Sequence, residues 1–272
     1  MRAVGLHLRI YHTLLETYQM AAALQLPLFQ FFLVHQQTRK HIALSREERA
    51  ACFALRDTFA AICVHGAYWI NVCQEANAGS IYLLKKELRL AVATGATQYI
   101  LHPGSVLQSS DKDAGIQRLV HVLDDVMHMY PSITVVLENT AHGNGTIGSD
   151  INDLGAIQKM VKNSERLRFC IDTAHAHSYG YDLQTPKSRD AFIATIDAAI
   201  GLNTVALIHC NNTFEKQGSK IDKHVSLQQG VLTQALPALL AHPAIKTIPV
   251  ILELPELPMP EQLNCVEQVR AW

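Results

Sequence analysis

Short apolar runs alternate with longer amphipathic stretches along the whole chain, and no other sequence feature restricts the fold as strongly. Repeated strand, helix and strand segments are typical of βα units, which build a parallel sheet. The predicted strands are residues 4–8, 28–33, 61–65, 99–102, 133–138, 168–172, 205–209 and 250–253. Between them, apolar residues at spacings of three and four predict helices that include residues 81–94, 114–129, 149–162, 189–200 and 232–241.

Eight successive βα units have one dominant closed arrangement, the (β/α)8 or TIM barrel, although an open doubly wound sheet is an alternative. The chain has 272 residues, a length that such barrels commonly reach with one core. An apolar fraction of 49% and a charged fraction of 17% exclude a disordered chain. We therefore predict an α/β protein in which residues 1–272 form a single TIM-barrel domain.

Charge and cysteine usage limit the partners and the compartment. The 23 basic and 24 acidic residues give a net charge of −1, so contact with a polyanion such as nucleic acid must be local. The six cysteines form no C-x-x-C pair, and we predict that they are reduced, buried thiols. No apolar run has the pattern of a signal sequence or a membrane span. We expect a cytoplasmic monomer without a membrane partner.

Six of the predicted strands finish on a residue type that binds metal ions. One histidine or acid at a strand end is usually a hydrogen-bonded polar group or a helix cap. Strand ends converge in a barrel, however, and three carboxylates and three imidazoles buried together require a compensating cation. The six residues are His65, His102, Glu138, Asp172, His209 and Glu253.

Two local patterns add three more candidate ligands. His175 follows Asp172 in a D-x-x-H pattern, and Asp222 and His224 form a D-x-H pattern in the loop after His209. Nine ligands are too many for one ion, because a zinc ion with an open position takes about three or four protein ligands. The sequence therefore predicts two or three metal ions. Mixed imidazole and carboxylate ligands suit zinc, and also manganese or iron.

Several segments of this chain resemble the endonuclease IV family. The resemblance extends over essentially the whole chain, and it includes the Asp222 and His224 pair. The matching segments are HGAYWIN at residues 65–71, YILHPGS at 99–105, VVLENTA at 135–141, FCIDTAHAHSYGYDL at 169–183 and HCNN at 209–212.

The resemblance implies a TIM barrel with three zinc ions, and every one of the nine ligand positions is filled in this sequence. Mn²⁺ or Fe²⁺ at one of the three positions is also compatible with these ligands. The third ion would be bound by His175, Asp222 and His224. The first two ions would share Glu138, with His65 and His102 on one ion and Asp172, His209 and Glu253 on the other.

The resemblance also implies a DNA-repair endonuclease that acts on damaged double-stranded DNA. Two close metal ions lower the pKa of a bridging water, and the resulting hydroxide attacks phosphorus in line. Cleavage is then expected 5′ to the abasic sugar and leaves a 3′ hydroxyl, with Glu138 as the catalytic residue. The abasic nucleotide would turn out of the helix into the barrel mouth.

The loops expected to contact DNA match the family less well than the metal ligands do. The first loop lacks the family's serine and glycine pair, and the arginine that usually follows the second strand is replaced by Gln37. Phosphate contacts supply much of the affinity for DNA, so these changes bear on substrate binding. The candidate DNA-binding residues are Tyr68, Gln37, Arg39 and Lys220, although isolated basic residues are more often simply solvated.

Two other functions are compatible with parts of this pattern. A xylose-isomerase-like sugar isomerase or epimerase would need only Glu138, Asp172, His209 and Glu253, and it would not require the other five ligands. A non-catalytic, metal-bearing DNA-binding descendant would retain the metals without cleavage. Three bound metal ions favour the nuclease, and retained zinc without cleavage favours the descendant.

Overall fold

The strands form a closed parallel barrel, which confirms the predicted fold. The computed structural model describes residues 2–35, 38–107, 111–143 and 145–272. The strands of these ranges are β1 (Val4–His7), β2 (Leu28–Phe32), β3 (Val34–His35), β4 (Lys40–His41), β5 (Ala61–His65), β6 (Gln98–Leu101), β7 (Thr134–Glu138), β8 (Leu167–Asp172), β9 (Val205–His209) and β10 (Val250–Leu252). β3 and β4 form a separate antiparallel pair, and β1 closes the barrel by pairing with both β2 and β10.

Helices connect successive barrel strands and cover the barrel. In α4, for example, buried apolar residues recur at three and four spacing, from Ile116 through Leu119 and Leu123 to Val126. Within the described ranges, no helix has both the length and the apolarity that crossing a membrane requires. The helices of these ranges are α1 (Leu14–Ala23), α2 (Arg46–Ala54), α3 (Ala78–Ala93), α4 (Lys112–Met129), α5 (Ile151–Met160), α6 (Thr173–Tyr179), α7 (Pro186–Ile200), α8 (Ala235–Leu240) and α9 (Met259–Arg270).

The predicted ends of several elements differ from the observed ends by one to three residues. β6 ends at Leu101 and β10 at Leu252, so His102 and Glu253 lie one residue beyond their strands rather than on them. Helix α5 begins at Ile151, because Asp150 is its N-cap and accepts a hydrogen bond from the backbone of Asn152. The strands predicted at 61–65 and 205–209 have the predicted bounds.

The barrel interior is filled by one layer of small and medium apolar residues. β2 and β5 to β10 each contribute one member, and all of them are at most 2% exposed. Since side chains alternate along a strand, the residue two positions further on also points into the barrel, closer to the carboxyl end. The layer consists of Leu28, Cys63, Ile100, Val136, Cys170, Leu207 and Ile251.

This alternation explains the position of the predicted ligands. Each strand-end ligand is two residues beyond a member of the apolar layer, as His65 is beyond Cys63 and Glu138 is beyond Val136. All six therefore project into the same end of the barrel. The six cysteines are buried free thiols, as the sequence predicts.

Candidate metal centre

Glu138 lies at the centre of the histidines and is completely buried. Its Oε2 is 3.0 Å from Nε2 of His65 and 3.2 Å from Nε2 of His102. Its Oε1 is 2.8 Å from Nδ1 of His209 and 3.5 Å from Nδ1 of His175. The two oxygens of one carboxylate thus face two different groups of imidazoles.

The second group of side chains is built on the start of α6. Asp172 is the N-cap of this helix, and its Oδ1 accepts a hydrogen bond of 2.8 Å from the backbone of His175. The first turn then directs Nε2 of His175 to a position 3.1 Å from Oδ1 of Asp222. Nε2 of His224 lies 3.6 Å from both Asp172 and Asp222, so the D-x-x-H and D-x-H patterns meet in space.

Glu253 and Asn211 connect the two groups. Nδ2 of Asn211 donates to Oδ2 of Asp172 at 2.5 Å and to Oε2 of Glu253 at 3.0 Å. The same Oε2 of Glu253 is 3.6 Å from Nδ1 of His209 and 3.6 Å from Nδ1 of His224. All nine predicted ligands are therefore brought together in one barrel mouth.

Three histidine nitrogens of this mouth are placed as ligands of bound cations would be. Nε2 of His102, His175 and His224 is buried and has no hydrogen-bond partner among the described residues. Each nonetheless lies within 3.6 Å of a carboxylate oxygen. In each case a ring nitrogen faces a carboxylate oxygen without a directed hydrogen bond between them. A metal ion could bind to both groups at such a position.

The potential ligand atoms also form compact sets, each within 4.8 Å, and Glu138 belongs to more than one of them. One contains His65, His102 and Glu138, and another contains Glu138, Asp172, His209 and Glu253. A third contains Asp172, His175 and His224. The donor sets fit several ions rather than one. The first two sets match the grouping that the family resemblance implies, whereas the third has Asp172 where the resemblance implies Asp222.

Neighbouring histidines keep the buried Glu138 carboxylate ionised. Burial alone would raise the pKa of Glu138, but His209 and His102 hold that pKa well below its usual range. Burial disfavours a charged imidazole, yet Asp172 and Asp222 raise the pKa of His175 well above its usual value. Without a bound metal ion, the ionised Glu138 therefore lies beside a protonated His175, and a metal ion bound to His175 would displace one of its protons.

A cavity of about 720 Å³ adjoins the ligands on the side of β1, β2 and β10. Glu253 and His224 form its boundary with the ligand cluster, while Ile10 and Phe32 contribute to an apolar wall. Tyr68, which is 54% exposed, also lines the cavity, and its ring centre is 5.5 Å from that of His65. The mouth thus offers room for a substrate directly beside the charged cluster.

The structure separates the predicted DNA-binding residues. Arg39 is exposed, and its guanidinium lies 5.2 Å from the ring centre of Trp69, the neighbour of Tyr68 in sequence. Lys220 instead contacts the ring and the backbone carbonyl of Tyr179 on α6. Gln37 lies outside the described residues. The part that these side chains play in DNA binding stays a prediction.

Sequence reasoning missed three buried amides that hold the ligands. Asn211 links two carboxylates, and Asn139 accepts from His175 through its backbone oxygen at 2.9 Å. Gln30 contacts both His209 and Glu253. The alternation of strand residues could have indicated Gln30, because it is two residues beyond Leu28 of the apolar layer.

Comparison with known proteins gives matches over almost the whole chain. Residues 4–270 match the family described as "Xylose isomerase-like TIM barrel". A probable endonuclease 4 of Aquifex aeolicus is 27% identical over 263 residues, which are 94% of this chain and 93% of that protein. An apurinic-apyrimidinic endonuclease of Caenorhabditis elegans is 31% identical over 86% of this chain and 61% of its own length. The crystal structure of endonuclease IV from Thermus thermophilus superposes with a TM-score of 0.85 at 27% identity, covering 99% of this chain and 98% of that one.

Proposed function

This chain belongs to the endonuclease IV family of xylose isomerase-like TIM barrels, and we propose that it is an apurinic-apyrimidinic endonuclease. Its substrate is double-stranded DNA with an abasic site. It hydrolyses the phosphodiester 5′ to that site and leaves a 3′ hydroxyl. A barrel of residues 1–272 acts as one domain and as a monomer.

One observation carries this proposal: nine metal-binding side chains converge on one mouth beside an open cavity. Four of them would suffice for a sugar isomerase. The remaining five, His65, His102, His175, Asp222 and His224, have no part in that chemistry, yet three of them carry buried nitrogens without a hydrogen-bond partner among the described residues. Their presence supports a trinuclear zinc site and phosphodiester hydrolysis.

The side chains of this mouth have distinct tasks in hydrolysis. Bound divalent ions supply the Lewis acidity that activates a water for in-line attack on phosphorus and that stabilises the leaving oxygen. Glu138, with one oxygen toward each imidazole group, would hold two ions at a fixed separation. Asp222 and His224, with His175, would hold the third ion.

DNA recognition is assigned to the rim of the cavity. Tyr68 projects from the loop after β5, and its exposed ring can pack against the deoxyribose or a base next to the lesion. Arg39, stacked on Trp69, extends this edge and brings a positive charge to it. Gln37 and Lys220 complete the proposed set of DNA contacts, and the apolar wall of the cavity receives the abasic sugar.

The test uses a duplex that contains a reduced abasic analogue, which cannot undergo β-elimination. The protein should cut this strand 5′ to the lesion, and a polymerase should extend the product because its end is a 3′ hydroxyl. Glu138→Ala should abolish cutting. Glu165→Ala, which removes an exposed carboxylate in the turn before β8, is the matched control and should cut normally.

The outcome distinguishes the three functions. Hydrolysis that requires Glu138 supports the endonuclease. A folded protein that binds about three zinc ions and leaves the lesion strand intact would contradict it and would favour a non-catalytic DNA-binding descendant. A protein that binds one or two ions and leaves the lesion strand intact would instead favour the sugar isomerase.

A further inference from the structure

Gln30 occupies the place in the ligand layer where neighbouring strands carry metal ligands. It lies on β2 two residues beyond Leu28, it points into the barrel, and it is completely buried. Its amide reaches three side chains at the carboxyl end of the barrel, namely His7, His209 and Glu253. An amide in this position can direct its neighbours without binding a metal ion itself.

The chemistry of its neighbours fixes the orientation of the Gln30 amide. One terminal atom is 2.6 Å from Oε1 of Glu253, and an ionised carboxylate only accepts hydrogen bonds, so this atom is the nitrogen Nε2. The same nitrogen is 2.9 Å from Nδ1 of His7. The oxygen Oε1 must then be the atom that is 2.9 Å from Nε2 of His209.

This orientation determines which nitrogen of His209 carries a fixed proton. An amide oxygen only accepts, so Nε2 of His209 must donate to Gln30. The other ring nitrogen, Nδ1, faces Oε1 of Glu138 at 2.8 Å and Oε2 of Glu253 at 3.6 Å. Nδ1 is therefore the nitrogen whose lone pair can be offered to a metal ion held by these two carboxylates.

We propose that Gln30 is a positioning residue that fixes the proton of His209 on Nε2 and thereby makes Nδ1 the metal-binding atom. Its second bond engages Oε1 of Glu253 and turns Oε2 of that carboxylate toward the same ion. This inference rests on the proposed metal centre. Gln30 would raise metal affinity while touching neither the metal ion nor the substrate.

A purely structural role for Gln30 makes a different prediction. In that case an unbranched apolar side chain of similar length would fill the same space, and metal binding would be unchanged. Partners that orient metal-binding histidines typically contribute 10- to 100-fold to metal affinity or activity. Metal affinity and the protonation of His209 separate these roles, whereas loss of activity alone would not.

The first experiment compares Gln30→Met with Gln98→Met in the full chain. Gln98 is also a barrel glutamine, but it lies at the start of β6, at the end of the barrel away from the ligands. Zinc dissociation constants are measured by competition with a chromogenic chelator. Gln30→Met should weaken the affinity of one zinc ion about 10- to 100-fold, and Gln98→Met should leave it within about 2-fold of the unsubstituted protein.

The second experiment observes His209 directly in the unsubstituted protein. In zinc-loaded protein labelled with ¹⁵N-histidine, long-range ¹H–¹⁵N correlation spectra should show His209 with a proton on Nε2 and zinc on Nδ1. The His209 signal is assigned with the variant His209→Gln. A proton on Nδ1 with zinc on Nε2 would overturn the inference.

The failures of the two proposals are distinguishable. If the unsubstituted protein binds no zinc, the metal centre and the inference both fail. If it binds zinc, and Gln30→Met binds zinc equally well with unchanged spectra of the other histidines, only the positioning role is refuted.

Discussion

At the scale of single residues, three histidines of the centre, His65, His175 and His209, each have one ring nitrogen engaged by a protein oxygen outside the carboxylate cluster. Nδ1 of His65 lies 2.8 Å from the carbonyl of Gly66, and Nδ1 of His175 lies 2.9 Å from the carbonyl of Asn139. Because a carbonyl only accepts, each of these nitrogens carries a proton, and Nε2 is left for the centre. For these histidines, the chain thus fixes which ring nitrogen is offered to a metal ion before any ion binds.

Tyr68 provides a test of DNA recognition that leaves the metal ligands in place. Tyr68→Ala removes an exposed ring from the cavity rim and should weaken binding of an abasic duplex by about 1–3 kcal/mol, the usual contribution of aromatic stacking on a base. Affinity is measured by fluorescence anisotropy in the presence of zinc. Tyr82→Ala removes another exposed tyrosine, from α3, and should bind normally. Equal affinities of the two variants would contradict the assignment of Tyr68.

Glu87 is the buried acid that sets a pH dependence of stability outside the ligand cluster. It accepts from the hydroxyl of Tyr99 at 2.7 Å and from the backbone of Ala67 at 3.3 Å. Burial raises its pKa to about 7 from the ordinary value of 4.5, because it disfavours the charged form. Between these two pH values the folded protein binds more protons than the unfolded chain, so Glu87 lowers the free energy of unfolding as pH rises.

Glu87→Gln should remove the decrease in the free energy of unfolding that Glu87 causes as pH rises. Each pKa unit corresponds to about 1.4 kcal/mol, so the free energy of unfolding of the variant, relative to the unsubstituted protein, should increase by about 3 kcal/mol from pH 4.5 to pH 8. Urea unfolding at several pH values in the presence of a chelator measures this change in the free energy of unfolding. Glu165→Gln, at an exposed position, should show no such trend. A pH-independent difference for Glu87→Gln would show that the carboxylate ionises normally.

At the scale of elements, the period-two pattern of the strands accounts for what the sequence predicts well. All eight barrel strands follow from the apolar runs, and the convergence of six ligands follows from the histidine or acid that ends six of these runs. The strand ends at Leu101 and Leu252 cannot be predicted from the apolar runs. A strand ends where its pairing with the neighbouring strand stops, which depends on the tertiary structure. Gln30 was missed for another reason: an amide is not a usual zinc ligand, so although strand alternation places Gln30 in the ligand layer, its hydrogen-bond partners are known only from the folded structure.

The contact between β1 and β2 places a strict limit on side-chain size. A β-carbon at Gly5 would lie 2.0 Å from the backbone oxygen of Leu28, so even alanine cannot be accommodated without moving a strand. Overpacking a core typically costs about 1–3 kcal/mol and occasionally more. Gly5→Ala should therefore lower the free energy of unfolding by about 3 kcal/mol or more. Gly79→Ala is the matched control, because a β-carbon there meets nothing within 4 Å in the first turn of α3.

Chemical unfolding of the two glycine variants measures this difference. Gly79→Ala should be neutral or stabilise by up to about 1 kcal/mol, since alanine favours helix more than glycine does. Gly5→Ala should also reduce zinc binding, because β1 pairs with β10, whose end carries Glu253. Similar stabilities for both variants would mean that the barrel tolerates a shift of β1, contrary to the close contact observed.

At the scale of the whole molecule, the charge balance makes DNA binding dependent on the metal ions. The chain has a net charge of −1 and no general attraction for a polyanion. The barrel mouth concentrates four carboxylates, and those of Glu138 and Glu253 stay ionised because neighbouring histidines lower their pKa. Divalent ions at this position would add local positive charge that attracts phosphates.

Metal removal should therefore weaken DNA binding, as well as prevent cleavage. We expect the chelator-treated protein to bind an uncleavable abasic duplex, with a phosphorothioate at the scissile position, at least about 10-fold more weakly than the zinc-loaded protein at low salt. The difference should shrink as salt screens the phosphates, because counterion release and Coulomb attraction both weaken with ionic strength. Anisotropy titrations at several salt concentrations measure this, with circular dichroism as the control that the metal-free barrel stays folded. A folded, metal-free protein that binds the duplex with unchanged affinity would mean that rim residues such as Arg39 and Tyr68 hold the DNA, and that the metal ions serve cleavage alone.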